Sequence, residues 1–180
     1  DMLVKFGPSG LTKKDALKAS NLPGINPQNC FPILVEQPRM KKDLTKSAKR
    51  ASVTRQDNVV IVGVDPVKAL ATSPTFDFQY IRGSKEIALK KLKQGHHCIV
   101  PEHFLLATGL KLGDSFVLVP PENPKHEARY TIAASVRFRG WHWQTKTTGM
   151  RMRTHRAAAL VISDYNTVGK DFSLNHPQYI

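Results

Sequence analysis

The residues best suited to chemistry in this chain lie in a short histidine-rich stretch. His96, His97 and Cys98 are consecutive, and His103 follows shortly after them. Imidazole and thiolate groups are good ligands for transition metals. Adjacent residues in a strand point to opposite faces, however, so His96 and His97 do not easily share one ion. No His-Glu-X-X-His pattern is present, and we predict neither a metal nor a cofactor.

The patterns of a catalytic centre are also missing from the sequence. The two cysteines, Cys30 and Cys98, both border apolar stretches, which favours buried free thiols and leaves a single disulfide open. Neither Gly-X-Ser-X-Gly nor Gly-X-X-X-X-Gly-Lys occurs. We predict that the protein is not an enzyme. A small enzyme with its site in a cleft remains an alternative. The central carboxylates are scattered over turns: Glu102, Asp114, Glu122 and Glu127.

The chain is strongly basic. It has 27 Lys and Arg against 14 Asp and Glu, which gives a formal net charge of +13 in 180 residues. Such a surface suits nucleic acid, anionic lipid headgroups or an acidic protein, and charge alone does not choose among them. The first of two basic clusters comprises Arg39, Lys41, Lys42, Lys46, Lys49, Arg50 and Arg55.

The second basic cluster contains a tryptophan pair. No acidic residue occurs between Glu127 and Asp164, and the sequence Trp-His-Trp lies within that gap. Tryptophan beside arginine suits base stacking, a membrane-headgroup belt or a protein interface. The alternative is a solvated loop whose rings pack on the core. The cluster runs from Arg129 to Arg156, and the predicted partner or substrate contacts are Arg137, Arg139, Trp141, His142, Trp143, Lys146, Arg151 and Arg153.

The hydrophobic pattern predicts short strands and helices in an α+β arrangement. Thr12 with Asp15 forms a capping-box pattern for a helix, and Ser84 begins an amphipathic helix that Gly95 ends. We expect residues 67–84 to be loop-like, with one short strand where Phe76, Phe78 and Tyr80 alternate.

The stretch "HHCIVPEHFLLATGLKLGDSFVLVPP" predicts a strand, a two-turn helix, a turn and a second strand. Gly109 is predicted to end the helix, because glycine adopts positive φ without strain. The turn falls at Gly113 and Asp114.

Six stretches in order resemble the extracytoplasmic core domain of MacB-like and FtsX-like ABC transporter permeases. They are "LTKKDALKASNLPGI", "VVIVGVDP", "FDFQYIRG", "HHCIVPEHFLLATGLKLGDSFVLV", "YTIAASVRFRGWHW" and "RAAALVISDY". The shared features are apolar patterns and turns that cover nearly the whole chain. In this light Gly109, Gly113 and Asp114 hold the shape of a turn and perform no chemistry.

The resemblance implies a two-lobed ectodomain between two membrane helices of a permease in the cell (inner) membrane. Residues 1–66 with 156–180 would form a porter-like α+β lobe, and residues 67–155 a smaller inserted lobe. The implied partners are a cytoplasmic ATP-binding subunit, a second permease subunit of the same or another kind, and a periplasmic adaptor protein. ATP hydrolysis would drive movement of a substrate or partner outside the membrane, in efflux, lipoprotein export or peptide export.

The chain departs from the family pattern in two respects. It is more basic than the efflux members, and it is expected to lack a strand and a helix before the second membrane span. The rival interpretation is a nucleic-acid-binding module that uses both basic clusters, although the resemblance makes nucleic acid the less favoured partner.

Overall fold

All the strands in the described part of the chain belong to one sheet. The structure is a computed structural model that describes residues 12–42, 44, 57–138 and 157–180. Within these ranges the sheet has eight strands with mixed parallel and antiparallel pairing. The strands are β1 Leu34–Glu36, β2 Arg39–Met40, β3 Val60–Val64, β4 Gln79–Arg82, β5 His97–Pro101, β6 Ser115–Val119, β7 Ala128–Arg137 and β8 Leu160–Asp164.

The sheet curls until its last strand, β2, meets the segment that leads into β3. The hydrogen-bonded order is β1-β3-β8-β5-β7-β6-β2, and β4 pairs with β7 beside this path. The pairs β3–β8 and β5–β7 are parallel, and the other pairs are antiparallel. Strand β2 pairs with β6 and is also bridged at Arg39 to Asn58, just before β3. This double attachment brings the two edges of the sheet together.

The two ends of the sheet are named here after Arg137 and Tyr179, which lie at opposite ends. At the Arg137 end, β7 and β5 finish while β3 and β8 begin, and Ala158 N donates to Asn58 O at 2.8 Å. Met40 N donates to Asp57 O at 2.6 Å, and Lys41 N donates to Val117 O at 2.9 Å, so β2 connects the segment before β3 to β6. At the opposite, Tyr179 end, Ile33 pairs with Tyr179 immediately before β1.

The described ranges contain five α-helices, of which the last four pack against the faces of the sheet. Most begin at a polar cap: Asp65 accepts from Val67 N at 2.9 Å, Ser84 from Ile87 N at 3.3 Å, and Asp164 from Thr167 N at 2.9 Å. Such caps satisfy amide groups that lack a partner within the helix. The helices are α1 Lys13–Leu17, α2 Pro66–Thr72, α3 Lys85–Leu92, α4 Glu102–Thr108 and α5 Tyr165–Asp171.

The core divides into two apolar clusters, one on each face of the sheet. The outer cluster joins β1, β3, β5, β7 and β8 to α2 and α3, with Leu70 and Leu92 fully buried. The inner cluster includes side chains from every strand except β4, and α4 and α5 contribute Phe104, Val168 and Phe172. Because both faces of the central strands are covered, those strands read as continuous apolar runs.

The predicted α+β class is confirmed, and several local predictions hold. Thr12 and Asp15 cap α1 through bonds of 2.6 and 3.1 Å, and Ser84 caps α3. The prediction of a loop after Asp65 is wrong, because α2 begins at Pro66. Proline fits the first turn of a helix, where its missing N–H has no partner to lose. The Asp-Pro pair therefore marks the start of a helix directly after β3.

The predicted division into two lobes is not confirmed. Strand β5, from the predicted inserted lobe, pairs with β8 from the predicted porter-like lobe, as Cys98 with Ser163 and Ile99 with Ile162. Strands β2 and β6 also join the two segments. The boundaries at residues 66 and 156 remain a prediction.

Helix α5 approaches β3 at a distance that requires glycine. A Cβ atom on Gly63 would lie 2.8 Å from Val168 Cβ and 3.1 Å from its Cγ1. We predict that Gly63→Ala destabilises the chain by about 1–3 kcal/mol, because α5 must shift to relieve the overlap. Urea unfolding measures the loss.

The matched test is a double-mutant cycle with Val168→Ala. The double variant should lose less stability than the sum of the two single variants, because the smaller side chain makes room for the new methyl group. A neutral Gly63→Ala variant, or strict additivity in the cycle, contradicts this packing account.

Candidate functional site

Arg137 is the one predicted contact residue that lies within the described ranges. It is exposed at the end of β7, and its backbone pairs with Gln79 of β4. The other predicted contacts lie outside the described residues: Arg139, Trp141, His142, Trp143, Lys146, Arg151 and Arg153.

The described members of the two basic clusters are Arg39, Lys41 and Lys42 in the first, and Arg129 and Arg137 in the second. Arg129 and Arg137 are both exposed but stand at opposite ends of β7. In the first cluster, Arg39 lies 3.8 Å from Asp57, and Lys41 Nζ lies 2.6 Å from a carboxylate oxygen of Glu127. These pairs are exposed, so each contributes little to stability.

The three predicted turn residues occupy two turns around the start of β6. Gly109 ends α4 with φ of 75°, and its N–H donates to Leu105 O at 2.9 Å. Gly113 has φ of 87°, and the Asp114 carboxylate accepts from Lys111 N at 2.8 Å. Both glycines occupy the left-handed region, where a side chain is strained.

A polar cluster at the Arg137 end ties three elements together. Glu102 Oε1 accepts from Arg82 Nη2 at 2.9 Å and from Arg82 Nε at 3.2 Å, while Glu102 Oε2 accepts from Ser135 Oγ at 2.7 Å. Ser135 is fully buried. Glu102 in α4 thus joins β4 to β7. In the sequence Glu102 is one of several scattered carboxylates, and only its place in the first turn of a predicted helix distinguishes it.

A second polar cluster lies near the Tyr179 end. Asp171, which is 8% exposed, accepts from Tyr130 Oη at 2.8 Å and lies 3.2 Å from His96 Nε2. Burial and the adjacent Asp171 carboxylate raise the pKa of Tyr130 far above its usual value, so the phenol remains a donor. His96 has a φ of 51°, an uncommon conformation for a residue other than glycine. The cluster attaches the end of α5 to β5 and β7.

Neither polar cluster has the geometry of a nucleophilic or metal centre. His97 Nδ1 lies 2.8 Å from Gly95 O, whereas His96 contacts Asp171. Within the described parts of the chain, no three His, Cys, Asp or Glu side chains are arranged to hold a metal ion. Both thiols are free, and complete burial raises the pKa of Cys98 well above its usual value. A thiol in that state is a poor nucleophile.

No described helix has both the length and the apolar character needed to cross a bilayer.

The chain matches solved structures, although its sequence matches no known family. No protein-family model matches it, and no curated protein does. The extracellular domain of the ABC-type transporter YknZ from Gram-positive bacteria aligns with a TM-score of 0.56 at 8% identity, over 98% of this chain and 79% of that one. The periplasmic region of MacB from Actinobacillus actinomycetemcomitans aligns with a TM-score of 0.50 at 11% identity, over 97% of this chain and 62% of that one.

At these identities the comparisons establish a shared fold. The chain has the α+β fold of the extracytoplasmic domains of ABC-type transporters. The resemblance predicted from the sequence is therefore confirmed at the level of the fold, with MacB itself among the matching structures.

The Asp171 cluster should matter for stability, and the chain offers a matched control. We predict that Tyr130→Phe costs about 1.5–3 kcal/mol, because a buried carboxylate loses a hydrogen-bond donor. The Tyr80 hydroxyl is buried and has no partner among the described residues, and burial raises its pKa to about 12. Tyr80→Phe should therefore be neutral or stabilising, since no hydrogen bond is lost. Equal losses in chemical unfolding of the two variants would contradict the prediction.

Proposed function

We propose that this chain is the extracytoplasmic domain of an ABC transporter permease. The observation that carries the proposal is a fold match over 98% and 97% of the chain to two such domains, from the transporters YknZ and MacB. The polar clusters support the same conclusion, because they join structural elements and expose no activated nucleophile. The proposed role is therefore not enzymatic.

The proposed mechanism is mechanical. ATP hydrolysis in a cytoplasmic subunit would move the permease helices, and this domain would transmit that movement to a substrate or partner outside the membrane. Such coupling needs a body that moves as a unit. The packing of α5 on β3 and the Glu102 and Asp171 clusters supply cross-links between elements distant in sequence.

The proposed assembly contains the ATP-binding subunit, a permease homodimer or heterodimer, and a periplasmic adaptor protein. The cargo belongs to the efflux, lipoprotein or peptide export type. Contacts with the partner or substrate are proposed for Arg137 and for the residues from Arg139 to Arg153 named above. Their support is the basic, acid-free stretch of sequence around the tryptophan pair.

The proposed location can be tested by thiol labelling of the complete natural protein in its own cells. Leu106, which is 64% exposed, is replaced by cysteine in a Cys30→Ser background, while Cys98 is buried and unreactive. We expect a membrane-impermeant maleimide to label Leu106→Cys in intact protoplasts or spheroplasts. Labelling that requires lysis would place the domain in the cytoplasm and contradict the proposal.

The tryptophan pair gives a separate prediction. If Trp141 and Trp143 contact a partner, replacing both by alanine should change the melting temperature little, because surface substitutions usually alter stability by about 0.5 kcal/mol or less. The same double variant should impair transport in cells. A large fall in melting temperature would identify both rings as core residues.

A further inference from the structure

Asp171 is a buried carboxylate at an unfavourable place for a negative charge. It is the last residue of α5, where the helix dipole repels anions. Its Oδ2 accepts from Tyr130 Oη at 2.8 Å, and its two oxygens lie 3.2 and 3.3 Å from His96 Nε2. Because a buried charge is costly unless it is paired, both contacts matter for keeping the end of α5 in place.

His96 reaches Asp171 from a strained backbone conformation. It has a φ of 51° and follows Gly95, whose φ is 74°, so two consecutive residues in the left-handed region join α3 to β5. Histidine adopts this region where surrounding contacts hold it there. The ring of His96 contacts Asp171 and lies 5.9 Å from the ring of Tyr130, measured between centroids. The side chain is 57% exposed, so the imidazole can exchange protons with water.

Among the described ionisable neighbours of His96, only His97 belongs to a type that ordinarily changes charge between pH 5.5 and 8. Burial raises the pKa of Cys98 and that of Tyr130 far above their usual values, so both groups stay neutral in this range. His97 Nδ1 lies 2.8 Å from Gly95 O and so contacts a carbonyl oxygen. The neighbours are His97 and Cys98 of β5, Tyr130 of β7, Asp164 of β8, and Lys170 and Asp171 of α5.

We propose that His96 and Asp171 form a pH-sensitive latch that fastens α5 to the start of β5. A protonated imidazole attracts the buried carboxylate and donates to it from Nε2, whereas the neutral ring offers at most an uncharged hydrogen bond. The latch therefore contributes fully below about pH 6.5, the ordinary midpoint of histidine, and weakens as the pH rises through neutrality.

The latch goes beyond the proposed function and does not depend on it. Helix α5 carries Val168, which packs on Gly63 of β3, so the state of the latch affects how firmly α5 is held on the sheet. If the domain lies outside the membrane, as proposed, the pH of the surrounding medium sets that state.

Hydrogen–deuterium exchange of residues 165–172 in the complete natural protein tests the latch, because exchange reports local opening of α5. The variant is His96→Asn, since asparagine tolerates the left-handed conformation and carries no charge. Comparing variant and parent at one pH cancels the intrinsic pH dependence of exchange. We expect the variant to speed exchange by about three- to fivefold at pH 5.5 and by about twofold or less at pH 8, because a partly exposed ion pair is screened by water.

Two further variants separate the latch from other effects. His97→Asn removes the neighbouring imidazole and should change exchange by the same factor at both pH values. In an Asp171→Asn background, which keeps the shape of the side chain, His96→Asn should also have the same effect at both pH values, because the charge of the partner is gone.

Equal effects of His96→Asn at pH 5.5 and 8, or a larger effect at pH 8, would overturn the latch. A pH-dependent effect that persists in the Asp171→Asn background, or that follows His97→Asn instead, would overturn it by assigning the response to another group. Each of these results leaves the assignment to a permease as it stands.

Discussion

The packing of α5 against β3 is the contact on which much of the fold depends. Gly63 leaves Val168 the space to sit on the strand, and Gly169 lets Leu34 of β1 approach α5 from the neighbouring strand. With α5 in this position, Val168 and Phe172 fill the inner apolar cluster, and Asp171 reaches Tyr130 and His96. One small residue in β3 thus decides whether the polar cluster at the end of α5 can form.

Two polar clusters in the described chain join structural elements that are distant in sequence. Glu102 connects α4, β4 and β7, and Asp171 connects α5, β5 and β7. The two clusters lie near opposite ends of the sheet. Each one attaches a helix to strands that are far from it in sequence. A domain held together in this way is suited to transmit movement. The fold it shares with transporter domains at 8% and 11% identity shows that this architecture tolerates very different sequences.

The sequence predicts what depends on neighbours along the chain. Thr12, Ser84 and Gly109 act within a few residues of themselves, and each occupies the predicted position at the end of a helix. The start of α2 was missed because the aromatic stretch after Pro66 was interpreted as a loop, although Asp65 and Pro66 fit a cap followed by the first helical residue.

Contacts between distant residues were beyond sequence reasoning. Tyr130 and Asp171 are 41 positions apart, and the pairing of β5 with β8 crosses the boundary of the two predicted lobes. Such contacts depend on sheet order and register, which apolar patterns do not specify. For the same reason the spatial separation of Arg129 from Arg137 could not be inferred from a basic run. Family resemblance carried the fold prediction where local patterns could not.

The most direct measurement for the central claim is to sequence the gene on both sides of the segment that encodes Asp1 to Ile180. The account predicts an apolar stretch of about 20 residues before Asp1 and at least one more after Ile180, as expected for a domain held between membrane helices. Polar flanking sequence with a chain end nearby would contradict the assignment to a permease and leave the basic surface as the main guide to function.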